Sequence, residues 1–165
     1  MQNNTTKRIA LGGMLAATAV VIMCMGGLIP IATYACPMLC CMTQFVVFRY
    51  CGKQLAWMWF AVVCLLSLLL GPDKEAAMVF LAIGYYPLLK KRIERTKIPL
   101  ILKLLFFNGS ILLIYTVMLY LLGMHEIAEE NMALGTIGLV VILLMGNVTF
   151  YLLDMLLTIM DRKLR

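Results

Sequence analysis

Between Arg8 and Arg49 the chain carries no Asp, Glu, Lys or Arg. Forty helical residues would reach about 60 Å, twice the ~30 Å hydrocarbon thickness of a bilayer. Pro30 and Pro37 fall in the middle of this run, and proline interrupts helices. The segment therefore reads as two membrane spans, about 9–29 and 37–50, joined by a tight turn. The second is short, so it starts ahead of Pro37 or sits partly re-entrant. Four further apolar runs follow, at about 54–71, 75–90, 98–123 and 131–160. They are continuously apolar and do not alternate, which favours helices over a barrel. The expected fold is an all-α integral membrane protein, a six-transmembrane-helix bundle forming one domain over residues 1–165.

Composition agrees. Apolar residues make up 64% of the chain and charged residues 13%, about half the charge of an ordinary soluble domain. The net charge of +6 does not mark a nucleic-acid binder, because the cations sit between apolar runs and not on one polar face. With six crossings, one side of the bilayer receives Lys7, Arg8, Arg49, Lys53, the basic residues of 90–97, Lys103, Arg162, Lys163 and Arg165. The other receives Lys74 alone, thirteen against one. Lys and Arg are held on the cytoplasmic side, so both termini are expected in the cytoplasm and the protein in the cell membrane. The outer connections hold Asp73, Glu75, Glu126, Glu129 and Glu130.

Polar groups within spans are costly in lipid and face the bundle. Lys103 and Asp154 both lie one to two turns deep from the cytoplasmic side, on spans five and six, and are expected to approach each other or share a network with Arg49. Such an intramembrane ion pair fixes helix register or takes part in gating. Asn108 and Asn147 fall near mid-membrane on the same two spans, placed for an interhelical hydrogen bond or for a ligand cavity. The outer halves of the spans supply Thr33, Tyr34, Gln44 and Tyr115. Trp57 and Trp59 read as interfacial belt residues.

Several chemistries lack their residues. The six cysteines contain no CxxC pair, and His125 is the one histidine, so no metal site is expected. There is no phosphate-cradling G-x-x-x-x-G-K-[ST] sequence, and no cluster of titratable groups at one depth. No catalytic residue, cofactor or enzyme activity is expected.

The first span contains Gly12, Gly13, Ala16 and Ala17. Gly12 with Ala16, and Gly13 with Ala17, are four apart and share a helix face, and small residues let another helix approach closely. The pairs serve internal packing or partner docking.

The chain resembles the substrate-binding S-components of energy-coupling factor (ECF) transporters. The likeness rests on the basic N-terminus followed by the small-residue helix from Ala10 to Val21, the turn with Leu28-Ile29-Pro30, and the second span carrying Gln44. Gly52 opens the third span and Leu70-Gly71-Pro72 closes it, within six crossings. The resemblance implies a membrane subunit that binds a vitamin-like micronutrient from outside. It would work with a transmembrane coupling protein and two cytoplasmic ATPases, and need no cofactor of its own. The family docks its coupling protein through an A-x-x-x-A face on the first helix, which here maps to Gly12 with Ala16 or Gly13 with Ala17. Glycine in the first position departs from that pattern and leaves the docking register open. The family's outer-half cavity implies Tyr34, Gln44, Asn108, Tyr115 and Asn147 as substrate-binding residues. The alternative is a non-transporting structural or accessory membrane protein that binds a protein partner.

Overall fold

The computed structural model describes residues 2–26, 32–96, 98–120 and 125–163. Among them every regular element is helical: α1 (Gln2–Cys24), α2 (Ala32–Cys51), α3 (Lys53–Leu70), α4 (Lys74–Ile83), α5 (Tyr86–Glu94), α6 (Pro99–Tyr120) and α7 (His125–Lys163). The helices gather into two compact units, Met1–Glu94 and Arg95–Arg165. Among the described residues three stretches are long and apolar enough to cross a membrane: Thr5–Cys24, Lys53–Leu70 and Leu143–Lys163. A shorter apolar stretch runs from Pro99 to Leu113.

In the first unit α2 is central and packs against α1, α3, α4 and α5. It starts at Ala32 and carries Pro37 inside it, so it begins ahead of the proline, one of the two readings its short apolar run left open. A proline in an apolar helix forfeits one backbone hydrogen bond, and close packing by neighbours makes this tolerable; Pro37 is wholly buried. The hairpin from α2 to α3 closes on a single residue, Gly52, with φ 95° and ψ 168°. That region of backbone space is open to glycine alone.

α3 ends at Leu70, and its last carbonyls find donors. Gly71 N donates to Ser67 O at 2.9 Å, and Lys74 Nζ donates to Leu68 O at 2.7 Å and to Gly71 O at 2.9 Å. These bonds satisfy helix-end acceptors that have no partner within the helix. α4 begins on Asp73, whose carboxylate accepts from Ala76 N at 3.0 Å, an N-cap. The span expected over 75–90 is broken, because α4 ends at Ile83 and α5 starts at Tyr86. Pro87 has no N–H to offer the Ile83 carbonyl, so a continuous helix would lose its bond there. Gly84 sits at the break, where a Cβ would come within 2.6 Å of the Phe60 ring.

The second unit is the hairpin of α6 and α7. Lys103 meets Asp154, Phe107 stacks on Phe150, and Ile111 covers Gly146. Each contact lies four residues further along α6 and four further back along α7. That step is about one turn, so one face of each helix serves the whole seam. α7 has 39 residues and reaches about 58 Å. It begins at His125, so Glu126, Glu129 and Glu130 belong to the helix and not to a turn ahead of it.

Candidate functional site

The residues singled out in the sequence divide between the two units. Tyr34 and Gln44 lie in the first; Asn108, Tyr115 and Asn147 lie in the second.

In the first unit two thiols fix the register of α1 against α2. Cys40 Sγ donates to Ala19 O and Cys51 Sγ donates to Arg8 O, each at 3.4 Å. The two contacts are eleven residues apart on both helices, as antiparallel neighbours require. Gln44 is one turn from Cys40 on the same face, level with Leu15 and Ala16 of α1. Its side chain is 0% exposed, and neither its amide nitrogen nor its oxygen has a hydrogen-bond partner among the described residues. The Gly52 turn places Trp59 of α3 at the same depth, about 12 Å along the hairpin. Trp59 is 4% exposed and its indole N–H also lacks a partner among the described residues. Trp59 is therefore a core residue, contrary to the interfacial position its spacing suggested, whereas Trp57 is exposed. Ser67 Oγ, also on α3, is a fourth buried polar atom unpartnered among the described residues. Nothing in the sequence pattern distinguishes Ser67 from its apolar neighbours.

Depth along α2 refines the picture. Gln44 is nearer the Gly52 turn than the Ala32 end of the helix. Tyr34 occupies the opposite end, where its hydroxyl donates to Glu75 Oε1 at 3.4 Å. Beside it Thr33 Oγ1 donates to Asp73 Oδ2 at 2.7 Å. The start of α2 is thus fastened to the acidic start of α4, and the basic residues of α1–α3 collect at the other end.

The paired small residues of α1 separate cleanly. Gly12 is buried, and a Cβ there would approach Leu55 Cδ2 of α3 to 2.9 Å. Ala16, on the same face, is half-buried. Gly13 and Ala17 are exposed, and a Cβ at Gly13 would meet nothing within 4 Å. The first pair packs the unit internally and the second faces away from it.

In the second unit Lys103 Nζ lies 2.8 Å from Asp154 Oδ2, with the side chains 16% and 24% exposed. Asn147 Nδ2 donates to Asn108 Oδ1 at 2.9 Å and to Leu143 O at 2.8 Å. The first of these bonds is the interhelical contact their depths allow, while Asn147 Oδ1 is buried and unpartnered among the described residues. Tyr115 lies on α6, and its side chain is outside the described residues. Among the described residues no group of three or more His, Cys, Asp and Glu could hold a metal ion.

No protein-family model, no curated protein and no solved structure matches the chain.

Proposed function

We propose that the chain is a multi-pass protein of the cell membrane, with six crossings and both termini cytoplasmic. In this reading it is the substrate-binding subunit of an ECF-type importer of a vitamin-like micronutrient. Charge distribution in the first unit supports the orientation. Lys7, Arg8, Arg49 and Lys53 gather at the end marked by the Cys51–Arg8 contact and Gly52, and Asp73 and Glu75 lie at the other. Cations stay on the cytoplasmic side.

Gln44 carries the solute-binding part of the proposal. A fully enclosed carboxamide with no partner costs about 1–3 kcal/mol, and such groups are rare enough in cores that each calls for a physical reason, here a bound solute. An uncharged solute with adjacent donor and acceptor atoms would satisfy Gln44, and the Trp59 N–H, buried at a similar distance from the Gly52 turn, is a second unpartnered donor among the described residues. The exposed Gly13 and Ala17 face suits a coupling protein's helix, which favours Gly13 with Ala17 as the docking frame. The protein then holds and hands over a solute; ATP hydrolysis belongs to partner ATPases, and it has no catalytic residues of its own.

The test is a thermal-shift screen of the purified full chain against vitamins, nucleobases and amino acids. At least one compound is expected to raise the melting temperature of the wild type and to leave Gln44→Leu unmoved. Stabilisation by none of them would overturn the proposal.

A further inference from the structure

We infer that the corner where α1, α2 and α3 meet at Gly52 binds the headgroup of an anionic membrane phospholipid. The Cys51 Sγ to Arg8 O contact of 3.4 Å brings the start of α1 against the Gly52 turn. Four cations thereby converge from three helices: Lys7 and Arg8 of α1, Arg49 of α2 and Lys53 of α3, all exposed. Residues 1–72 contain no Asp or Glu, so α1, α2 and α3 bring no carboxylate to this corner. α5, which packs on α2, adds Lys90, Lys91 and Arg92 beside Glu94, so the surroundings stay net positive. Two amphipathic aromatics flank the turn, Tyr50 at 54% and Trp57 at 38% exposure. Tyr and Trp prefer the headgroup level of a bilayer. The exposed sides of α1 and α3 that lead away from the corner are apolar. A diester phosphate would sit among the cations while its acyl chains follow those sides. A soluble anion has no use for the aromatic pair or the apolar flank. Basic groups close to a membrane surface attract anionic lipid in this way. The inference rests on the membrane reading but not on solute transport.

The test reconstitutes the full chain in phosphatidylcholine nanodiscs with and without phosphatidylglycerol, then counts by native mass spectrometry the lipid retained after extraction into neutral detergent. Phosphatidylglycerol should be retained selectively and lost as salt rises. Arg49→Gln and Lys53→Gln should each lower its retention by about fivefold, whereas Arg49→Lys should hold it and so exclude a folding defect. The double variant Arg162→Gln, Lys163→Gln removes two charges from the end of α7, one more than either single variant, and should change nothing. Equal retention of the two lipids, an equal loss in the α7 variant, or displacement of phosphatidylglycerol by inorganic phosphate would each overturn the inference. A chain recovered outside the discs would overturn the membrane reading with it.

Discussion

Lys103 Nζ donates to Asp154 Oδ2 across 2.8 Å, one turn along the α6–α7 seam from the stack of Phe107 on Phe150. Both side chains are mostly enclosed, so each needs the other more than a surface pair would. Removing one partner strands the remaining charge. Lys103→Met and Asp154→Leu should each lower stability by about 2 kcal/mol, and the double variant should lose less than the sum, with a coupling of about 1–3 kcal/mol. Denaturation of the four proteins in one detergent measures the cycle. Strictly additive losses would mean that the ion pair does not hold the two helices together.

Gly52 turns α2 into α3 with φ 95°, and a Cβ would strain that backbone whatever space surrounds it. Gly52→Ala should cost about 1–3 kcal/mol, although no atom lies within 4 Å of the added methyl. A thermal melt unchanged by the substitution would show that the turn can close another way.

The two glycines of α1 should respond in opposite ways. Gly12→Leu drives a side chain into Leu55 and should destabilise the protein by about 1–3 kcal/mol. Gly13→Leu points outward into open space and should leave the melting temperature within experimental scatter while weakening capture of a coupling protein. Co-purification with that partner and a melt of the isolated chain separate the two effects. Unaltered capture by Gly13→Leu would remove this face from the docking surface.

Asp73 serves two partners, Ala76 N and Thr33 Oγ1. Thr33→Ala removes one bond and leaves the N-cap of α4 intact. Asp73→Ala removes both and should be the more damaging by about 1 kcal/mol. Equal losses, read by chemical denaturation, would mean that the cap contributes nothing.

The sequence carries some of these features on its face and hides others. The charge-free runs between Arg8 and Arg49 and from Gln54 to Pro72 locate apolar helices, because they are continuously apolar and a helix satisfies its backbone polar groups within the segment. The Lys103 and Asp154 contact follows from their matching positions along two consecutive apolar runs. Helix ends are less legible. Pro37 reads as a breaker, since local propensity does not register the packing that tolerates it, and the break at Gly84 depends on Pro87 three residues later. Trp57 and Trp59 are two residues apart and look alike in the sequence. One of them is exposed and the other is buried, a difference fixed by which face of α3 packs against its neighbours.

Gln44 offers the sharpest discrimination between a solute site and a solid core. Its amide is enclosed by helices and bonded to nothing among the described residues. Leucine has similar bulk and no polar atom. If the carboxamide only fills space, Gln44→Leu should raise the stability of the solute-free protein by about 1–3 kcal/mol, the desolvation cost it relieves, and nothing else should change. If it binds a solute, the same gain should come with loss of the thermal shift that the solute gives the wild type. Trp59→Phe, which removes the indole N–H at the same depth, should reduce that shift by a smaller amount. Melting curves of the three proteins with and without the compound that stabilises the wild type decide the matter. A solute that stabilises Gln44→Leu as strongly as wild type binds somewhere other than between α1, α2 and α3.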